Sequence, residues 1–582
     1  MKTKTTIILL IIAILIAGYI FFIDKGMPTS DERQQAEKKV FGFLKTDDIS
    51  KIEINAPNAA QLTLVGSMTP TTPSRIAIIC TRTADKEWLM TQPVNTRADR
   101  SVLDNIAGQI AGLEKKETLK ETAKLEPYGL DYPTISLSFS AKGKDYLVKL
   151  GRAAPLNIGV YAAVEGRKDI YVVQQSFADS INKPVADFRH RRIFDASTYE
   201  MANLKFIYPD KTIELQKAGT DWQITQPVTD KTDQNKVRDL LSQIGTLSVS
   251  TFVADNETDL ALYGLDKPAL KLVAPDPKGS GKTETLLVGR EREKDRLVAT
   301  KEGTQTIFTI EKSSYDAIAL PLDALRNKKA FNLIASDINK IEIKSGGKTA
   351  ALLDKNSKSA EGGSPPDGRA GASGGKWQFV YPAMTVTNQA PAEVDAFIDK
   401  LNTYQIEQFT ADTTTDLSAF ALGEPFAGIE IILGFASGAS EDRTLLGVAK
   451  NMPYVYMKKP DNPRVVALSN SLYEYLKQGS ILFRKKSLVD VNSDKVKKIS
   501  IAMGNDVSTF EQTKHQEWTI TSPEQKKVEK NSELNTVMLE FCHLSASEFV
   551  ADLNFSPDLI AYGLDKPEAI VTLEWSKDNS ET

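Results

Sequence analysis

Four phrases of one design recur along the chain, and they restrict its possible folds more than any other feature. They read "EWLMTQP", "DWQITQP", "KWQFVYP" and "EWTITSP", and carry Trp88, Trp222, Trp377 and Trp518, each with a proline five residues on. A second phrase follows each one: "YGLDYP" at 128–133, "YGLDKP" at 263–268, a weaker "FALGEP" at 420–425, and "YGLDKP" again at 562–567. The two prolines of each pair lie 40, 41, 43 and 44 residues apart. Spacing held this constant marks a duplicated unit. Each copy opens on a basic-apolar phrase: "KKVF" at 38–41, "RRIF" at 191–194, "KKAF" at 328–331 and "KKSL" at 485–488. Units of this length are too long for solenoid repeats, and each can bury a core of its own. The sequence therefore predicts tandem strand-rich α+β domains, three complete (38–190, 191–327, 328–484) and one incomplete (485–582).

The order inside one unit is readable. "ISKIEI" at 49–54 and "QLTLV" at 61–65 alternate like paired strands. The Trp strand follows and is stopped by its proline, which cannot continue a ladder. A helix comes next, on apolar stripes: Val102, Ile106, Ile110 and Leu113; Val237, Leu240, Leu241, Ile244 and Leu247; Leu534, Val537, Met538, Phe541 and Leu544. These stripes predict core. The second phrase reads as a short helical turn, with Thr258 or Ser556 as N-cap and Pro557 at the first helical position. Gly129, Gly264 and Gly563 supply the left-handed residue that ends the turn, and the next Leu folds back on it. Tyr128, Tyr263 and Tyr562 precede these glycines. The third copy replaces Tyr, Gly and Asp by Phe420, Ala421 and Gly423, so the phrase serves shape rather than catalysis. Strands such as "YLVKLG" and "TLLVG" come after it, then a closing helix. That helix leads to the basic clusters "FRHRR", "LRNKK" and "FRKKS", which read as solvated joints or as cations favoured at a helix C-terminus rather than as sites for anionic headgroups or phosphate. Residues 356–375, rich in Gly, Ser and Pro, predict a disordered loop inside the third domain.

The N-terminus is of another kind. "IILLIIAILIAGYIFFI", 7–23, carries no charge and is long enough for a short membrane span. A cleaved signal peptide needs small residues before its cut, whereas this run ends on Tyr19, Ile20, Phe21, Phe22 and Ile23. The expectation is one uncleaved helix in the cytoplasmic membrane. Lys2 and Lys4 keep residues 1–6 in the cytoplasm, a linker covers 24–37, and the bulk of the chain is extracytoplasmic.

Chemistry is hard to find. With 72 basic and 76 acidic residues the net charge is −4, which gives no electrostatic footprint for nucleic acid. The three histidines (His190, His515, His543) are scattered, and Cys80 and Cys542 read as buried thiols rather than a disulfide. His543 beside Cys542 is no dyad, because adjacent helical residues point about 100° apart. Gly-rich phosphate loops, nucleophile elbows and paired metal-ligand motifs are missing from the sequence. The expectation is a protein that is not an enzyme and that carries no catalytic, cofactor or metal residues.

Taken together, the N-terminal span, the K/R-x-F opening, the Trp-x-(Ile/Val)-x-x-Pro and Y-G-L-D-x-P phrases and the L-x-V-G strand ends ("LLVGRE" at 286–291, "VKLGRA" at 148–153) resemble a bacterial membrane-anchored family, domain of unknown function 4340. The resemblance covers nearly all of 38–582, in four copies. It implies no catalytic residues. It does imply an accessory envelope role, since members often accompany ABC-transporter and gliding-type components. The leading expectation is a non-enzymatic scaffold or accessory subunit with membrane-protein partners. The alternative is an envelope polymer (glycan) binding module or hydrolase, touching its polymer through Tyr128, Tyr263 and Tyr562.

Overall fold

The computed structural model describes residues 12, 30–42, 44–57, 77–120, 124–195, 201–275, 283–355, 377–382, 391–436, 441–449, 452–489, 491–513, 517–528, 531–547 and 559–576. Apart from Ile12, which is helical, the apolar stretch 7–23 lies outside these residues, as do "QLTLV" and the loop 356–375. Among the described residues no helix is long and apolar enough to cross a membrane. The chain forms two compact units, 1–327 and 328–582.

The protein is α+β and its strands form four antiparallel sheets. The first module has α1 (Ser30–Lys38), β1 (Ile49–Asn55), β2 (Ile78–Arg82), β3 (Trp88–Gln92), β4 (Thr96–Arg97), α2 (Arg100–Ala111), β5 (Glu117–Leu119), β6 (Ile135–Ala141), β7 (Lys144–Ala153), β8 (Val160–Val164), β9 (Ile170–Val173) and α3 (Gln175–Ile181). Its sheet order is β4-β3-β2-β1-β6-β7-β8-β9-β5. Two meanders are thus joined side by side through β1 and β6, and the strand after the helix crosses to the far edge. The second module repeats this with β10 (Asn203–Ile207), β11 (Thr212–Ala218), β12 (Asp221–Gln226), β13 (Asp230–Lys231), α4 (Gln234–Thr246), β14 (Thr251–Ala254), β15 (Leu270–Pro275), β16 (Thr283–Glu293), β17 (Arg296–Lys301), β18 (Ile307–Glu311), α5 (Lys312–Ile318) and α6 (Leu322–Leu325).

In the other compact unit, the third module has β19 (Ile338–Ser345), β20 (Lys348–Asp354), β21 (Gln378–Tyr381), α7 (Pro391–Thr403), β22 (Gln408–Ala411), β23 (Ile429–Phe435), β24 (Asp442–Gly447), β25 (Tyr454–Lys458), β26 (Val465–Ser469) and α8 (Ser471–Leu476). The fourth has β27 (Val496–Met503), β28 (Asp506–Gln512), β29 (Trp518–Ser522), β30 (Lys526–Lys527), α9 (Asn531–Cys542) and β31 (Ile570–Trp575), in the order β30-β29-β28-β27-β31.

The helix after each Trp strand packs its stripe on one sheet face. In α2, Leu103, Ile106, Ala107 and Ile110 are buried, and in α4, Val237, Leu240 and Ile244 are. Asp99 caps α2 by accepting from the backbone of Ser101 and Val102, and Asp233 does the same for α4 with Asn235 and Lys236. Each such cap stabilises its helix by roughly 1 kcal/mol. The stripe expected in the fourth module is only partly core: Met538 is buried, but Val537 and Leu544 are exposed. Among the described residues the sheet beneath it has five strands, where those of the first and second modules have nine.

The second sheet carries apolar residues on both faces, as the period of two requires. Leu286 and Val288 of β16 face the helix-side core, while Leu287, with Val298 and Ile307, forms a smaller cluster on the opposite face with Leu265. The "YGLD" turn lies over that opposite face. The third module repeats the arrangement with Leu422, Tyr456, Val465 and Ala467.

Candidate functional site

The residues that the repeats single out occupy three settings. The four tryptophans are buried between sheet and helix. Trp88 donates from Nε1 to Asp104 Oδ1 of α2 at 2.9 Å, and Trp518 donates to Asn535 Oδ1 of α9 at 3.0 Å. Arg82 lies over the Trp88 ring, 4.7 Å from its centroid, and also binds Asp104. The indole, Arg82 and Arg100 hold the Asp104 carboxyl below its ordinary range, against the opposing effect of burial. Around Trp222 the backbone is bound instead: Gln234 and Thr232 both donate to its carbonyl, at 2.8 and 2.7 Å. These tryptophans pin a strand to a helix. The proline of each phrase follows a cis peptide bond.

The second setting is the "YGLD" turn. Gly129, Gly264 and Gly563 have φ of 68°, 67° and 67°, and Ala421 takes the same left-handed shape at 54°. The N–H of the following Leu returns to the carbonyl five residues back (Leu130 to Leu125, Leu265 to Leu260, Leu422 to Leu417), the bond that closes such caps. Thr258 is not the N-cap expected of it: the turn begins later, at Ala261, and Asp259 accepts from the Ala261 N–H at 3.0 Å. Asp sits one residue closer to the turn, so its carboxylate reaches the free donor first. Ser556 and Pro557 lie outside the described residues.

The aromatic before the glycine packs on the strands beneath. Tyr128 meets Tyr161 edge-on at 4.8 Å and Phe420 meets Tyr456 at 5.2 Å, while the Tyr263 hydroxyl lies 3.4 Å from Glu257. Tyr128 and Tyr263 are therefore half-buried, and only Tyr562 is exposed. The glycine of L-x-V-G passes directly under the turn. A Cβ on Gly151 would lie 2.1 Å from the Tyr128 carbonyl oxygen, and one on Gly447 2.5 Å from that of Ala421.

The third setting is the joint between the first and second modules, and here the solvated basic cluster expected from "FRHRR" is corrected. Arg189 is 3 % exposed. It grips Asp255 with both guanidinium nitrogens at 2.9 and 2.8 Å and stacks 3.6 Å from the Phe252 ring centroid. Thr306 adds a bond to Asp255 at 3.0 Å. A buried guanidinium needs such a partner, and the next module's Asp supplies it. Beside it, Asp195 binds Arg97 and His190. The His190 bond foremost, then Arg97, holds its carboxyl below the ordinary range. The equivalent Arg326 is 1 % exposed and binds Asp230 at 2.7 Å and Asp323 at 3.3 Å.

The sequence reading missed the partner of this joint, although a signal was present. "FVAD" at 252–255 recurs as "FTAD" at 409–412 and "FVAD" at 549–552. Asp412 pairs with Arg464 at 3.3 Å.

The tryptophans and the turns each build a part of their own module, whereas Arg189 and Asp255 join the first module to the second. Burial pushes the Cys80 thiol up to about 12 and raises that of Cys542. Both cysteines are free. Among the described residues no three His, Cys, Asp or Glu side chains are grouped to hold a metal.

A family model described as "Domain of unknown function (DUF4340)" matches three times in tandem, over 88–232, 222–378 and 377–567. The chain belongs to this family. Each DUF4340 match begins on a repeat tryptophan and runs through the rest of that module into the next. Arg189 falls in the first match and Asp255 in the second. No curated protein matches the chain.

Proposed function

We propose that this DUF4340 protein is a membrane-anchored, non-enzymatic envelope protein: a scaffold or accessory subunit of a larger membrane assembly, with an ABC-type transport or gliding-type system as its setting. The observation that carries the reading is the Arg189–Asp255 joint. A bidentate, buried charge pair stacked on Phe252 fixes one module to the next. Fixed joints suit a protein whose task is to hold a position rather than to close on a substrate. The recurring residues of the first three modules support it too, since the buried tryptophans pack, the turn residues cap and Arg189 joins. The apolar run 7–23 supports an anchor with residues 1–6 in the cytoplasm and the modules outside it.

The test combines membrane fractionation with mild crosslinking of the whole chain. The protein is expected in the membrane pellet, and deletion of 1–23 releases it. Crosslinking is expected to recover a permease or ATPase partner. Recovery of the protein alone, or hydrolysis of a glycan polymer by the purified chain, overturns the reading.

A further inference from the structure

The edge strand β5 of the first module differs in charge from its counterparts. β14 of the second module and β22 of the third hold the same place in their sheets, and an aspartate follows each, Asp255 and Asp412. The register is shared: Leu119 pairs with Ile170, Ala254 with Ile307 and Ala411 with Val465. The residue after Leu119 is Lys120, so the first module sets a cation where the other two set an acid. In the second module that acid, Asp255, receives Arg189 of the module before it. Before the first module comes the apolar run 7–23. The chain arriving from that run enters at this same edge: the Lys115 N–H donates to the Lys38 carbonyl at 2.8 Å, and Lys39 bridges to Glu114. Only residues 24–29 and α1 separate Ile23 from Lys39, a reach of at most about 35 Å.

An exposed loop tip is tied to this edge. In the connection 154–159 between β7 and β8, Leu156 and Asn157 both take the left-handed shape, with φ of 58° and 55°. A leucine pays for that shape in backbone energy, yet Leu156 is 94 % exposed. Lys116 Nζ donates to the Ile158 carbonyl at 2.9 Å and so holds the tip beside β5. The corresponding stretch of the second module, 290–295, is charged throughout and has no apolar residue. Over 38–39 and 114–120, Lys38, Lys39, Lys115, Lys116 and Lys120 stand against Glu114 and Glu117 alone. We propose that this edge rests on the anionic surface of the membrane that carries the chain. Lys38, Lys116 and Lys120, all exposed, meet phosphate-bearing headgroups, and Leu156 enters the boundary with the acyl chains. The proposal rests on the reading of 7–23 as an anchor. The short tether keeps the effective concentration high, so a few weak contacts suffice.

The test reconstitutes the full chain into phosphatidylcholine vesicles, with or without phosphatidylglycerol. Flotation of the chain with both kinds of vesicle reports the anchor. An environment-sensitive dye on L156C reports the docking, since Cys80 and Cys542 are buried. Its emission is expected to shift to the blue only with phosphatidylglycerol, and to shift back in high salt. The same dye on L262C, an exposed site of the second module (71 %), is expected to stay unshifted. K38Q/K120Q is expected to lower the docked-to-free ratio about twenty-five-fold, roughly fivefold for each lysine, and to leave the thermal midpoint unchanged. Flotation without a blue shift at Leu156, or an equal shift in both vesicles, overturns the proposal and leaves the anchor standing. Failure to float with either vesicle overturns the anchored reading, and this proposal with it.

Discussion

Arg189 shows what a single residue contributes at the joint. Its charge is buried and its partner Asp255 is largely buried as well, so deleting either strands the other. Breaking such a pair costs roughly 3–5 kcal/mol. R189M is therefore expected to lower the thermal midpoint of the 1–327 unit clearly in calorimetry. R189K is expected to recover little, because an ammonium cannot make the two parallel bonds. A loss below about 1 kcal/mol for R189M would contradict the joint as described. Asp195, nearby, is expected to make that region sensitive to acid. Its carboxyl is held below the unfolded value of about 3.9, so its contribution is complete above that pH and fades as pH falls through the lower folded value. Urea midpoints measured from pH 7 to 3 are expected to fall less steeply for D195N than for the natural chain.

At the scale of elements, the turn over the L-x-V-G strand is a contact between two backbones. G151A places a methyl carbon where the Tyr128 carbonyl oxygen already stands, 2.1 Å away, so turn or strand must move. A421G is the opposite case: it relieves a left-handed alanine at φ 54° and is expected to raise stability by about 1 kcal/mol in denaturant unfolding. A421G matching or falling below the natural chain would show that the turn carries no strain there. Much of this element was readable beforehand, because glycine, leucine and proline act through local backbone rules. The alternation of Ile49–Ile54 and the stripe Val237–Ile244 were readable for the same reason, each being a short-range period. What pairs across distance was not. Arg189 meets Asp255 over 66 residues of sequence, and β5 reaches the far sheet edge to meet β9. Strand order and buried ion pairs depend on where the whole module closes, and no local period reports that. The Thr258 cap failed on a finer competition, with Asp259 one residue away.

For the whole molecule, the modules share a design, but among the described residues they differ in the size of the core they bury. Among the described residues the buried cluster of the fourth is Val491, Val496, Ile499, Trp518, Met538 and Cys542, while each of the other three has a buried cluster several times larger. Stability varies along a chain with the apolar area each region buries. The region 485–576 is therefore expected to open at the lowest free energy. In native-state hydrogen exchange, amides of the β27–β28 ladder should exchange faster than those of the β1–β6 and β10–β15 ladders, which have the same geometry over a full core. Limited proteolysis should cut within 485–576 before it cuts elsewhere in the folded modules. Equal protection of β27 and β1 would mean that the small cluster around Trp518 holds its ladder as firmly as a full core does.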